Sequence, residues 1–206
     1  MNNLKILLVR HGESDANKEG YIAGSMNSDL TEKGKRQANY LGFTLWANKI
    51  KIDSVYSSTL QRAIDTADRI RVFQECRLDS TEKSVNKNKL YFVKTSPKLN
   101  EMCFGVTEGK YFDELPDYYK EDWAKFGYPV NVPEQETKEE VVKRAIEGIK
   151  EIAEKEKDSE TICIVTHGML LRLLNEHYKG KIEDIVGNAE YIEIEYNYDT
   201  KEIIFD

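Results

Sequence analysis

Short apolar segments alternate along this chain with longer segments whose apolar residues recur at helical spacing. Lys5–Val9 and Thr161–Thr166 are short and mostly aliphatic, and each is closed by a turn that contains glycine, as buried parallel strands are. The other strand candidates are Asp53–Tyr56, Leu90–Lys94 and the alternating segment Tyr191–Asp206, which turns at Tyr198–Thr200 like a hairpin. Strands that alternate with helices predict an α/β fold built around a layered sheet.

Four segments carry helix signals. They are a helix capped by Thr31 that runs to about Ala47, one from Thr59 to about Phe73, one that follows a capping box at Thr137 and runs to about Lys157, and one from Met169 to Tyr178. Residues 75–90 are polar and rich in lysine, which predicts a surface loop. Residues 113–133 are aromatic and predicted to be irregular.

Size and charge limit the class of protein. A chain of 206 residues is long enough for one substantial core, so a single domain over residues 1–206 is expected. The formal charge of −7 disfavours nucleic acid or an anionic membrane as a partner, and an anionic ligand requires positive charge concentrated at one site. The apolar run Ile6–Val9 is too short for a signal peptide, and no run is long enough to cross a membrane. We therefore expect a cytoplasmic protein.

Common metal and cofactor motifs are missing from the sequence. Cys76, Cys103 and Cys163 are widely spaced and form no CxxC pair, so neither a disulfide framework nor a zinc site is indicated. The sequence also has no HExxH, no GxxxxGK[ST], no GxGxxG and no GxSxG. We expect no metal and no cofactor.

Two strand candidates end in the same way. His11-Gly12 follows the first strand and His167-Gly168 follows the strand at Thr161–Thr166. Ligands of open α/β sheets bind beyond the carboxyl ends of the strands, and a glycine there lets backbone N–H groups approach an anion. The pattern predicts that both histidines belong to one ligand site. The third histidine, His177, lies late in a helix and is expected at the surface.

Two further charged residues are candidates for the same site. Arg62 lies early in a helix, where a cation opposes the helix dipole, so its guanidinium is expected to reach an oxyanion. Glu101 directly precedes an apolar segment, and a partly buried carboxyl group there is a candidate general acid.

Together these residues resemble a known family. Leu8–Asn17, which contains Arg10-His11-Gly12-Glu13, is similar to the signature of the histidine phosphatase superfamily, the phosphoglycerate mutase-like proteins. Four more segments match that family in order: Asp29–Ala38, Val55–Ala63 with Arg62, Leu99–Gly109 with Glu101, and Val165–Gly168 with His167. The resemblance covers residues 6 to about 170 and implies a three-layer α/β/α sandwich with a mixed, mostly parallel sheet.

The resemblance also implies roles for the candidate residues. His11 would attack phosphorus and become a phosphohistidine, and Glu101 would protonate the leaving oxygen and then activate water. The phosphoryl oxygens would be held by Arg10, Arg62 and a cationic His167, assisted by Asn17 and the backbone of Gly168. Two arginines and a cationic histidine could then supply the charge stabilisation that Mg²⁺ supplies elsewhere. The same cations should disfavour protonation of His11.

The function implied is hydrolysis of a small phosphate monoester. The span between Glu101 and His167 favours the phosphatase branch over a phosphoglycerate mutase, which is the alternative. A phosphate-binding module without activity is a further alternative, although His11, Arg62 and Glu101 are all retained. In such phosphatases the region at about 105–135 forms a lid over a small phosphorylated metabolite. The sequence leaves the exact substrate and a homodimer open.

Overall fold

A mixed sheet of six strands forms the centre of the protein. The computed structural model describes residues 3–81, 92–180 and 186–205, without the side chains of residues 76–81. The strands are β1 (Asn3–Arg10), β2 (Ser54–Ser57), β3 (Lys94–Thr95), β4 (Thr161–Thr166), β5 (Tyr191–Asn197) and β6 (Glu202–Phe205). Their order is β3-β2-β4-β1-β5-β6, in which the first four are parallel and the β5–β6 hairpin is antiparallel.

Within these described ranges, six α-helices accompany the sheet. They are α1 (Asp15–Glu19), α2 (Glu32–Ala47), α3 (Gln61–Thr81), α4 (Asp117–Phe126), α5 (Lys138–Lys155) and α6 (Gly168–Lys179). No helix in the described part of the chain is both long and apolar enough to cross a membrane.

The two faces of the sheet bury different helices, because successive side chains of a strand point to opposite faces. Leu7 and Val9 pack in one cluster with residues of α2 and α3. Ile6 and Leu8 belong to a second cluster that contains the apolar faces of α5 and α6. The predicted three-layer α/β/α arrangement with a mixed sheet is therefore confirmed.

Local capping signals located two helices correctly. The hydroxyl of Thr31 accepts a hydrogen bond from the Gly34 N–H at 3.0 Å and caps α2. Thr137 and Glu140 form the expected capping box at the start of α5. The predicted strand Thr161–Thr166 and the C-terminal hairpin are also confirmed.

Four sequence predictions need correction. Helix α3 runs to Thr81 instead of ending near Phe73, so the segment predicted as a loop begins in a helix; residues 82–90 lie outside the described residues. The strand predicted at Leu90–Lys94 is Lys94–Thr95, and its predicted start also lies outside the described residues. The segment predicted as irregular contains α4, in which Tyr119 and Trp123 recur at a spacing of four and pack against the core. Helix α1 was not predicted.

A buried carboxylate connects the sheet to the end of α5. Glu156 is 1% exposed and accepts hydrogen bonds from Lys94 Nζ at 2.6 Å, the Tyr56 hydroxyl at 2.8 Å and the Ser159 hydroxyl at 2.8 Å. Although burial raises it, the three hydrogen bonds together with the charge of Lys94 lower the pKa of Glu156 to about 2. The network therefore stabilises the ionised carboxylate in the folded state.

Glu156→Gln is expected to lower the free energy of unfolding by roughly 2–3 kcal/mol at pH 7, because it removes a buried charge and leaves Lys94 unpaired. The folded-state pKa of this carboxylate is depressed, so its contribution is present above the ordinary value of about 4.5 and disappears as pH falls toward 2. Urea unfolding at pH 7 and pH 3 measures both effects. Glu202→Gln, which breaks an exposed ion pair with Lys150, should cost less than about 1 kcal/mol. Equal losses for the two variants at pH 7 would contradict the assignment.

Candidate active site

The register of two parallel strands brings the two predicted histidines together. Arg10 of β1 lies opposite Thr166 of β4, so the next residue of each strand leaves the sheet at the same edge. The rings of His11 and His167 lie 5.1 Å apart between centroids, at an interplanar angle of 59°. Both side chains are buried. The expectation that these histidines converge is confirmed.

One ring nitrogen of His11 makes a hydrogen bond to the backbone. Its Nδ1 lies 2.7 Å from the carbonyl oxygen of Gly12. Because a carbonyl oxygen only accepts, Nδ1 carries the proton and Nε2 keeps its lone pair. Burial of the ring, followed by the charge of Arg62 and then that of Arg10, lowers the pKa of His11 to about 3, although the Gly12 carbonyl opposes the shift. The unprotonated imidazole expected from the sequence is thus favoured.

His167 is held by a serine that the sequence did not single out. Its Nε2 lies 2.7 Å from the Ser58 hydroxyl oxygen, which also accepts a hydrogen bond from the Leu60 N–H at 3.2 Å. When that hydroxyl donates to Nε2, the ring proton lies on Nδ1. Nδ1 is buried and has no hydrogen-bond partner among the residues that the structure describes.

The expected positive charge of His167 is not supported. Burial, Arg62 and His11 lower the pKa of His167 well below its ordinary value, so the surroundings that the chain provides favour a neutral ring. The sequence could not reveal this, because the cause is complete burial of the ring near the guanidinium of Arg62.

Arg62 is fixed by backbone carbonyls. Its guanidinium donates to Gly24 O and Met26 O, both at 2.7 Å, and the residue is 2% exposed. The loop that carries these carbonyls is held in turn by Glu108, whose carboxylate accepts from the N–H and hydroxyl of Ser25, both at 2.8 Å. Arg62 is therefore oriented without a direct carboxylate partner in this set of contacts.

The two glycines that follow the histidines serve close packing. A Cβ on Gly12 would lie 2.5 Å from Gly34 O, and the Gly12 N–H donates to the Thr66 hydroxyl at 3.1 Å. The Gly12 N–H is therefore already engaged within the protein, and the backbone role expected of Gly168 stays a prediction. A Cβ on Gly168 would lie 3.1 Å from Nε of Arg10, so this glycine lets the guanidinium lie against the start of α6.

Glu101 lies at the N-terminus of α6. Its carboxylate accepts from the N–H groups of Met169 and Leu170, both at 3.1 Å, and from its neighbour Met102 at 3.0 Å. The backbone on either side is held by Arg144 of α5, which donates to Asn100 O and Glu101 O. These contacts place a half-buried carboxylate beside the first turn of α6, whose N-cap residue is His167.

Asn17 is the most exposed of the predicted site residues. It belongs to α1, where its Oδ1 lies 3.2 Å from the Ser14 N–H within a capping box and 3.3 Å from Asn188 Nδ2. Since Oδ1 is used in this way, Nδ2 is the atom that can donate to a ligand.

One cavity of about 390 Å³ gathers the predicted residues. Six of the seven line it: Arg10, His11, Asn17, Arg62, Glu101 and Gly168. The seventh, His167, is fully buried beside His11. His177 is exposed in the last turn of α6, as expected.

Several residues of the site escaped the sequence reasoning. Ser58 follows β2 at the same edge of the sheet as the histidines, and that position was the available signal. Arg172 and the rings of Phe104, Phe112 and Trp123 also line the cavity, and no local pattern distinguished them from packing residues.

Within the described residues, no group of three His, Cys, Asp or Glu side chains is arranged to hold a metal ion. The site combines two neutral imidazoles, guanidinium groups and one carboxylate. Such a set can bind a tetrahedral anion, offer it a nitrogen nucleophile and place a proton donor nearby.

Comparison with known proteins agrees with this arrangement. The model of the histidine phosphatase superfamily (branch 1) matches residues 6–204. The chain belongs to that superfamily. Its members include phosphatases and mutases, which supports an enzyme.

Relatives of both kinds align with the chain. A 2,3-bisphosphoglycerate-dependent phosphoglycerate mutase from Corynebacterium kroppenstedtii is 28% identical, over 89% of this chain and 80% of its own. A metal-independent phosphoserine phosphatase from Arabidopsis thaliana is 32% identical, over 82% of this chain and 66% of its own. The solved phosphoglycerate mutase of Bacillus anthracis superposes with a TM-score of 0.80 at 24% identity, covering 100% of this chain and 92% of that one. The preference for the phosphatase branch therefore stays a prediction.

The imidazole of His11 is expected to show no titration between pH 8 and pH 5, because burial and Arg62 hold its pKa at about 3. An ordinary histidine titrates within that range, at about pH 6.5. The measurement is the NMR chemical shift of His11 Cε1–H, assigned by comparison with His11→Ala. A midpoint near pH 6.5 for this resonance would show that the ring is not held as the structure indicates.

Ser58→Ala is expected to lower kcat/KM by about tenfold to a hundredfold, since His167 Nε2 loses its buried partner. Ser57→Ala is the matched control. Its hydroxyl is equally buried but donates to Ser58 O at 2.7 Å, away from the imidazole. Imidazole ¹⁵N shifts should place the His167 proton on Nδ1 in the parent protein and on a mixture of nitrogens in Ser58→Ala. Equal kinetic losses in the two variants, with unchanged ¹⁵N shifts, would remove the positioning role.

Proposed function

We propose that this protein is a phosphatase that hydrolyses a small phosphate monoester through a phosphohistidine on His11. The observation that carries the proposal is the 5.1 Å approach of the His11 and His167 rings beside a cavity lined by Arg10, Arg62 and Glu101. Phosphoryl transfer needs alignment and charge stabilisation more than further covalent chemistry, and these side chains are suited to supply both.

In the first step, the lone pair of His11 Nε2 forms a bond to phosphorus and the bond to the leaving oxygen breaks. Glu101, in its protonated form, gives its proton to that oxygen. In the second step, water attacks the phosphohistidine, its proton passes to the Glu101 carboxylate and the P–N bond breaks. Inorganic phosphate leaves, and His11 and Glu101 return to their starting forms.

The oxygens of the phosphoryl group would be held by groups that already have fixed positions. Arg62 is anchored by two carbonyls, Arg10 lies against Gly168, and Asn17 offers Nδ2. His167 would donate from Nδ1, its unpartnered nitrogen. A phosphate dianion at this place favours the protonated form of a neighbouring imidazole, which would restore the charge that the chain alone does not support.

A phosphoglycerate mutase is the second candidate. It is favoured by the Corynebacterium relative, which aligns over 89% of this chain. A mutase needs the same nucleophile and the same cations, but it returns the phosphoryl group to a second hydroxyl of the substrate instead of to water.

The two candidates are separated by product analysis in the presence of EDTA. The phosphatase releases inorganic phosphate from p-nitrophenyl phosphate and does not isomerise 3-phosphoglycerate when 2,3-bisphosphoglycerate is added. The reverse result identifies the mutase, and no turnover of either kind would favour a phosphate-binding module. His11→Ala should abolish turnover while the protein stays folded. The control is His177→Ala, at an exposed position outside the cavity, and it should retain full activity.

Glu101→Gln is expected to slow hydrolysis most for esters with poor leaving groups, because only those require a proton on the departing oxygen. The measurement is kcat/KM for a series that runs from p-nitrophenyl phosphate to alkyl phosphates. The slowdown should be small at the first end and larger than about a hundredfold at the other. A uniform slowdown along the series would argue against the acid role.

A further inference from the structure

Beyond the phosphate-binding groups, the cavity has a wall of aromatic rings. Phe104, Phe112 and Trp123 line it together with Arg10 and His11. The rings of Phe104 and Trp123 are stacked, with centroids 5.8 Å apart and an interplanar angle of 25°. Phe112 meets Trp123 edge to face at 5.9 Å and 86°. The three rings therefore form one contiguous apolar surface.

Backbone contacts hold this wall in place. Phe104 is buried, and its N–H donates to Glu108 at 2.9 Å. The Gly109 N–H donates to Ile22 O at 2.8 Å, and the Ile22 N–H donates to Lys110 O at 3.0 Å. Since Ile22 also lines the cavity, these two hydrogen bonds tie one of its lining residues to the segment between Phe104 and Phe112.

The helix that carries Trp123 is anchored by other residues. Leu115 and Tyr119 are buried in the main core, and Tyr119 lies one helical turn before Trp123 on the same side of α4. Not every ring of α4 faces the cavity. Tyr118 is 60% exposed and does not line it. Of the aromatic side chains of α4, Trp123 therefore belongs to the wall and Tyr118 does not.

The wall has surface left for a ligand. Phe112 remains 40% exposed although it lines the cavity. A cavity of about 390 Å³ is far larger than a phosphoryl group, so space beside the rings is left for the rest of a phosphate ester. The planar guanidinium of Arg172 also lines this space, and guanidinium groups stack on aromatic faces.

We propose that Phe104, Phe112 and Trp123 form a leaving-group subsite for a phosphate monoester whose alcohol part contains a flat aromatic or heteroaromatic ring. This proposal rests on the proposed function, because the phosphate end of the ester is taken to lie at Arg10 and Arg62. Aromatic pairs prefer offset-stacked or edge-to-face contacts, and the exposed part of the Phe112 ring is available for such a contact with a ring of the ligand. The subsite would select among esters that the phosphate groups alone cannot distinguish.

The test compares phenyl phosphate with 2-naphthyl phosphate, whose leaving groups have similar acidity but different ring area. We expect kcat/KM to be about tenfold higher for the naphthyl ester, from the added apolar contact. Trp123→Leu and Phe112→Leu should bring this ratio close to one. Tyr118→Leu, an exposed position on the same helix, should leave the ratio unchanged. Phe112→Leu guards against loss of folding in Trp123→Leu, since Phe112 is partly exposed.

Binding of phenylphosphonate and 2-naphthylphosphonate by calorimetry separates the subsite from the reaction. A naphthyl preference in binding that both leucine variants lose supports the subsite, even if the protein hydrolyses neither ester. Such a binding preference without hydrolysis would overturn the proposed function and leave the subsite in place. Hydrolysis of both esters with a ratio near one in the parent protein, or a ratio that Phe112→Leu and Trp123→Leu leave unchanged, overturns the subsite and leaves the proposed function in place.

Discussion

The parallel pairing of β1 with β4 is the constraint on which the site depends. This register sets Arg10 opposite Thr166, so the residues that follow must leave the sheet side by side. A shift of one residue would turn Leu7 and Val9 toward α5 and α6 and would turn Ile6 and Leu8 toward α2 and α3, so the close packing of both layers would be lost. The position of His11 beside His167 is therefore enforced by the core rather than by contacts between the two rings.

Burial gives the site its electrostatic character. Two imidazoles and the guanidinium of Arg62 are removed from water without an equal number of carboxylates in contact with them. The cost of burying these groups is reduced in two ways. The histidines are favoured in their neutral forms, and the guanidinium of Arg62 donates to carbonyl oxygens. The guanidinium groups of Arg10 and Arg62 nevertheless place positive charge at this cavity in a protein whose total charge is −7, which favours a small dianion there.

The sequence predicted those parts of the fold and site that local patterns determine. Strand ends followed by His-Gly located the sheet edge at which the two histidines meet, and the Thr31 and Thr137 caps located two helices. Helix α4 was missed because aromatic residues are weak helix formers, and burial of Tyr119 in the main core decides its structure. The pairing of Ser58 with His167 and the neutral state of that ring depend on long-range contacts, which no local pattern reports.

Glu101 and His167 share one mechanical support. The carboxylate is attached to the first amides of α6, and the imidazole belongs to the residue that caps the same helix. Each group also has an anchor outside α6, since Ser58 holds the imidazole and Arg144 holds the backbone of Glu101. Three separate elements must therefore agree on one geometry, so a substitution in the first turn of α6 should disturb the carboxylate and the imidazole together.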